Sequence, residues 1–167
     1  MKAINLSNWI KEHEELMVPP VGNRTIWTDT DFIVMIIKGP NNRNDFHVNC
    51  GEEFFYQLKG SINLRIHQHN QFENITLNEG DIFLLPPNTP HSPQRPEGSI
   101  GMVIEKKRLK DELDSFVWFC DKCGQKLYQE DFHLNDIVNQ FPPIFERFYQ
   151  SFHNKCQNCG YILEKNK

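Results

Sequence analysis

The 167-residue chain has no basic block: its 18 Lys and Arg are scattered among 22 Asp and Glu, for a net charge of -4. Without a basic patch or stripe there is no electrostatic footprint for a nucleic acid. Long apolar runs are missing as well. The longest, Phe32 to Ile37, is far too short to span a bilayer. Met1 to Met17 lacks the continuous apolar stretch of a secretory signal. Repeats and low-complexity tracts are absent. Cysteine is sparse, at five residues, and nothing marks the chain as secreted. These absences lead to the expectation of a soluble, cytoplasmic protein with neither a nucleic-acid nor a membrane partner.

What is present suffices for one full domain and a small appendage. Thirteen Phe and 38% hydrophobic residues can build a core. Ser7 can cap a short helix bearing Trp9, Ile10, His13, Leu16 and Met17, which Pro19-Pro20 would stop. From there to Glu105 the chain reads as strands and turns: Phe32–Ile37, Phe54–Gln57, Ile62/Leu64/Ile66, Ile75–Leu77, Asp81–Leu85 and Ile100–Glu105. Phe54–Gln57 and the Ile62 strand read as a hairpin around Lys59-Gly60-Ser61. Short strands at close spacing imply a small sandwich or barrel.

After Lys106-Lys107-Arg108 the character changes. Leu109–Phe119 reads as a charged connector ending in aromatics. Leu134, Ile137, Val138 and Phe141 have helical spacing. Pro142-Pro143 should break that helix and open a second, bearing Ile144, Phe145, Phe148 and Phe152. The boundaries expected are 1–108 for the β domain with its N-terminal helix, and 109–167 for the connector and a cysteine module.

Two segments carry chemistry: His47-Val48-Asn49-Cys50-Gly51-Glu52-Glu53, and Pro86-Pro87-Asn88-Thr89-Pro90-His91. His47, Glu53 and His91 form the ligand set of a mononuclear non-haem Fe(II) site, two histidines and a carboxylate on one face of the ion with the other face open. Glu52 is better read as a neighbour or surface residue. Cys50 reads as a turn residue, and His13, His67, His69, His133 and His153 as packing or surface residues, since none has ligand spacing. Arg43 and Arg95 stand four residues outside the two metal motifs, and each could fork onto a carboxylate.

The order of these residues resembles the two sequence motifs of the cupin superfamily. His47 and Glu53 are followed by Gly60 in the first, and Gly80, Pro86 and His91 form the second. Asn49 stands where many cupins have another histidine. The resemblance narrows further. Asp45-Phe46-His47 through Glu53-Phe54-Phe55-Tyr56-Gln57, with Asp81-Ile82-Phe83-Leu84-Leu85-Pro86 through His91-Ser92-Pro93-Gln94-Arg95, is similar to the 3-hydroxyanthranilate 3,4-dioxygenase family.

That resemblance implies a mainly β fold, a cupin β-barrel (double-stranded β-helix or jelly roll), using Fe2+ and O2 to open the ring of 3-hydroxyanthranilate. It implies 2-amino-3-carboxymuconate semialdehyde as product, leading to quinolinate and NAD biosynthesis in the kynurenine pathway, and a homodimer. It also implies roles. Arg43, Arg95, Glu105 and Asn23 would contact substrate, Arg43 would also lie beside O2, and Glu105 and Arg95 would act in catalysis. Asp45 is a candidate partner for a ligand or arginine.

Cys120-Asp121-Lys122-Cys123-Gly124 is mirrored by Cys156-Gln157-Asn158-Cys159-Gly160. Two Cys-x-x-Cys turns with trailing glycines make a tetrathiolate site for Fe or Zn. A disulfide pair is the alternative, disfavoured in a reducing cell. The pattern is rubredoxin-like and lacks an open coordination position, so its expected role is to staple a small module containing short helices. Two competing readings of the whole chain are a non-catalytic cupin sensor of a small aromatic carboxylate, and another metal-dependent cupin enzyme such as a sugar isomerase or thiol dioxygenase.

Overall fold

The computed structural model describes residues 2–18, 22–41 and 43–165, apart from the side chains of Ile137 and Val138. Among them, eleven strands form two antiparallel sheets. The strands are β1 (Asn23–Thr25), β2 (Phe32–Lys38), β3 (Asp45–Val48), β4 (Glu53–Lys59), β5 (Ile62–Gln68), β6 (Gln71–Leu77), β7 (Ile82–Leu85), β8 (His91–Gln94), β9 (Ile100–Lys106), β10 (Asp114–Phe119) and β11 (Lys126–Phe132). The first sheet runs β1-β2-β9-β4-β7 and the second β11-β10-β3-β8-β5-β6. Two helices, α1 (Leu6–His13) and α2 (Ile137–Gln150), flank them.

Period-two burial explains the sandwich. In β4, Glu53, Phe55 and Gln57 are buried while the intervening residues are half-exposed. In β5, Ile62, Leu64 and Ile66 point inward. With Met35, Leu77, Leu85 and Val103 they form one core cluster. A second cluster joins β10 and β11 to α2 through Phe116, Trp118, Phe132, Phe141, Ile144 and Phe148. Trp118 is fully buried and stacks on Phe148 at 4.4 Å between ring centroids.

Four expectations differ from the structure. The cap of α1 is Asn5, whose side chain accepts from the Asn8 backbone N–H at 3.0 Å; Ser7 already lies inside the first turn. Pro19-Pro20 lies outside the described residues. β4 and β5 do not pair: β4 bonds to β7 and β9, β5 to β6 and β8. The Gly60 turn is a corner between sheets, with Glu79 holding its backbone N–H. Leu109–Phe119 is a connector only in its first part, because β10 continues the second sheet and pairs with β3. Pro142-Pro143 lies within a single helix, α2. Pro143 and Asn139, four residues earlier, are both exposed, so water can satisfy the carbonyl that Pro143 cannot bond.

Because Trp118 links the second sheet to α2, Trp118→Ala is expected to cost about 3–5 kcal/mol. Reversible denaturant unfolding would register it. A loss below about 1 kcal/mol would mean that this ring pair does not anchor the helix.

Candidate metal centre

Two cross-strand pairs build the centre. His47 of β3 lies directly opposite His91 of β8 in the second sheet, and Glu53 of β4 opposite Glu105 of β9 in the first. Same-face partners across a strand pair are near neighbours, so each sheet delivers two functional side chains to the space between them. All four are buried. One donor atom from each of His47, Glu53 and His91 lies within 4.8 Å of the others.

The nitrogens are sorted by their outer partners. His47 Nε2 meets Asp114 Oδ2 at 2.7 Å, leaving Nδ1 toward Glu53 Oε1 at 3.5 Å. His91 Nδ1 meets the Thr89 carbonyl at 3.0 Å, leaving Nε2 toward Glu53 Oε2 at 3.4 Å. A carbonyl or carboxylate behind each ring favours a hydrogen on the far nitrogen, so that the neutral ring would present its lone pair inward to an ion, the usual support of ligating histidines. Two imidazoles and a carboxylate so arranged fit a divalent ion such as Fe2+ or Zn2+. Without the ion, burial disfavours a charged His47, but Asp114 and Glu53 outweigh it and raise its pKa to about 9.

Asn49, at the position of the further cupin histidine, takes a different part. Its Nδ2 donates to Glu53 Oε1 at 3.2 Å and Glu105 Oε2 at 2.9 Å, and its Oδ1 accepts from the Gly51 backbone N–H. Glu105 also accepts from Arg108 Nη2 at 3.0 Å. Burial and the nearby Glu53 push the Glu105 carboxyl up to about 7, against the opposing pull of Arg108.

A small, partly open cavity of about 50 Å³ lies over these residues, lined in part by Asn23, Arg43, His47, Glu53, His91 and Glu105. Phe55 and Phe141 add flat apolar walls. It shares Asn23, Met35 and Leu134 with a larger outer cavity that reaches exposed Trp27. Arg43 lies over the Phe116 ring and is held by Asp45. Arg95 is buried outside the lining. Its head group fills space that only the lack of a side chain at Gly101 leaves open: a Cβ there would sit 2.7 Å from Arg95 Nη1. That Nη1 has no hydrogen-bond partner, and no ion pair among the described residues reaches Arg95. Burial, with Arg43 nearby, lowers its pKa to about 10.

The remaining candidates lie elsewhere. Glu52 is exposed. Cys50 is partly buried, which raises its thiol pKa and disfavours a reactive thiolate. His67 is buried and stacks on Phe119 at 3.8 Å. His13 stacks on Trp9. Asp114, Arg108 and Gly101 had no signal in local sequence: Arg108 ends a Lys-Lys-Arg run, and Asp114 reads as part of a connector; Asn49 was visible only as a departure from the cupin motif.

Cys120, Cys123, Cys156 and Cys159 form the second donor cluster. Their sulfurs stand 3.5 Å (Cys120–Cys159) and 3.6 Å (Cys123–Cys156) apart, whereas a disulfide needs about 2 Å. Gly124 and Gly160 adopt φ of 72° and 75°, and their N–H groups bond to the Cys120 and Cys156 carbonyls. Each loop thus closes the same way, with its thiols turned to one point. Arg65 of β5 ties the first loop to the sandwich through Asp121 at 3.0 Å.

Binding of a divalent ion at His47 Nδ1 must displace the proton held there. At pH 7, below the metal-free pKa of about 9, roughly one proton should leave per ion bound, and affinity should rise with pH up to that value. Calorimetry in buffers of different ionisation enthalpy, with the cysteine cluster filled beforehand, measures this. Release of no proton would contradict the assignment.

The family model for 3-hydroxyanthranilic acid dioxygenase matches residues 1–149. A protein of Burkholderia cenocepacia named 3-hydroxyanthranilate 3,4-dioxygenase is 47% identical over 163 residues, covering 96% of this chain and 92% of the relative. One of the same name from Ruegeria pomeroyi is 46% identical, covering 97% and 91%. Among solved structures, a cupin-2 domain containing protein from Shewanella frigidimarina superposes with a TM-score of 0.50 at 21% identity, covering 62% of this chain and 94% of the other; that likeness concerns the fold, which is cupin. With its two sheets, its buried His–Glu–His set and relatives this similar over nearly their whole length, the chain belongs to the 3-hydroxyanthranilic acid dioxygenase family.

Proposed function

We propose that this protein is an Fe(II)-dependent dioxygenase that opens the ring of 3-hydroxyanthranilate. Both atoms of O2 would enter the product, 2-amino-3-carboxymuconate semialdehyde, which cyclises to quinolinate on the route to NAD. The observation that carries the reading is the convergence of His47, Glu53 and His91 in an aromatic-walled cavity beside Glu105 and Arg43. A ferrous ion held by the three ligands would supply the electron relay between the electron-rich ring and oxygen.

The chain's own residues do the rest. Phe55, Phe141 and Val103 exclude water and suit a flat ring. Glu105, raised above the ordinary carboxylate range, is suited to take the proton that the phenol gives up on binding. Among the described residues Arg95 is a buried cation with no anionic partner, and the substrate carboxylate would supply one. Arg43, held by Asp45, acts at the cavity wall beside substrate and O2, and Asn23 borders the entrance. The relatives' names give the sensor reading no support.

The tetracysteine cluster is proposed to hold iron or zinc as a structural staple. A cytoplasmic location suits its free thiols. A homodimer is inferred as well; exposed Ile82 and Leu84 on edge strand β7 offer an apolar surface for it.

The test is anaerobic loading with Fe(II), addition of 3-hydroxyanthranilate, then admission of air. One O2 consumed per substrate, with a semialdehyde decaying to quinolinate, is expected; loaded enzyme that takes up no O2 would reject the reaction. Loss of the charge-assisted contact in Arg95→Ala should lower kcat/KM roughly ten- to hundredfold, chiefly through KM. Unchanged KM would remove Arg95 from substrate binding.

Cys156→Ser should weaken thermal resistance of the C-terminal part and leave ring cleavage nearly intact. Full thermal resistance with collapsed turnover, at unchanged central-site iron, would point to a direct role of the cluster in the reaction.

A further inference from the structure

We infer that Asp114 is a positioning residue for the metal centre, anchored by Arg108, so that the segment after β9 completes a site whose ligands all come from earlier strands. Asp114 is fully buried at the start of β10. β10 pairs with β3 so that Phe116 lies opposite His47. This register brings the Asp114 carboxylate behind the His47 ring. Three donors meet it: His47 Nε2 at 2.7 Å to Oδ2, Arg108 Nη2 at 2.6 Å to Oδ2, and Arg108 Nε at 2.6 Å to Oδ1. Arg108 in turn is fixed by the Lys106 carbonyl and by Glu105.

The chemistry follows from who can donate. Arg108 has only donors, and it occupies both oxygens of Asp114. The carboxylate therefore accepts from His47 and cannot give it a hydrogen. His47 must carry its hydrogen on Nε2, and Nδ1, which faces Glu53, is left as the lone pair for the ion. The chain of contacts then runs back through Arg108, Glu105 and Asn49 to Glu53. Two of the three metal ligands are thus oriented by one buried network, and Arg108 connects its halves.

Asp114→Asn keeps the shape and reverses this logic. An amide NH2 must face either Arg108 Nε, or Arg108 Nη2 together with His47. In the second arrangement it donates to Nε2 and moves the imidazole hydrogen onto Nδ1, against the ion. In the first it sets donor against donor. The inference rests on the metal-site reading above, so the tests separate the two.

With zinc already in the tetracysteine cluster of the full-length protein, anaerobic Fe(II) titration of wild type must first give one further site per chain. No such site would reject the metal-centre reading itself. Given that site, folded Asp114→Asn should bind Fe(II) about tenfold or more weakly. Unchanged affinity in the folded variant would overturn the role of Asp114.

A second measurement needs no variant and decides the matter if Asp114→Asn does not fold. In 15N-histidine-labelled wild type loaded with Zn(II), long-range 1H–15N correlation should find the hydrogen of His47 on Nε2 and the metal on Nδ1. A hydrogen on Nδ1, or Nε2 as the metal-bound nitrogen, would overturn the proposal.

Discussion

Three buried carboxylates, Glu53, Glu105 and Asp114, are linked through Asn49 and Arg108. Charges so placed persist only if paired and fully hydrogen-bonded. Arg108 answers two of them, with Asp114 on one edge of its guanidinium and Glu105 on the other. With neutral histidines, and with all three carboxylates ionised, two negative charges remain in excess, and a divalent ion between His47, Glu53 and His91 offsets them. The site is in this sense half of an ion pair awaiting its cation. In the metal-free protein the proton drawn onto His47 takes the cation's place in part.

Arg95 presents the complementary problem. It is a buried cation with an unsatisfied Nη1, accommodated by the missing side chain of Gly101. Arg43, by contrast, is already matched by Asp45. Two arginines that look alike in sequence therefore differ physically. One is spent within the protein, and the other needs an anion. An aromatic acid that brings chelating oxygen and nitrogen to the metal and reaches past the cavity lining with its carboxylate to Arg95 would satisfy both charges together.

The clustering of His47, Glu53 and His91 was legible because each motif is local: five residues separate His47 from Glu53, and a Pro-rich turn precedes His91. The strands from Phe32 to Glu105 were legible from alternation. Less could be read where meaning depends on distant partners. Gly60 marks a turn in either case, but only pairing across the molecule makes it a corner rather than a hairpin. Arg108 ends a run of like charges and turns inward because Asp114 and Glu105 wait there. Asn49 looked like the loss of a ligand, and instead it clamps Glu53 to Glu105. Asp114 gains its place from a strand pairing 67 residues away from its partner His47.

The most direct measurement of the central claim is iron K-edge X-ray absorption on anaerobic protein carrying zinc in the tetracysteine cluster and Fe(II) in the remaining site, before and after 3-hydroxyanthranilate is added. A first shell of nitrogen and oxygen alone, rearranged by the substrate, is what a His47–Glu53–His91 centre with an open face predicts. Sulfur in that shell, or a spectrum indifferent to the substrate, would contradict it.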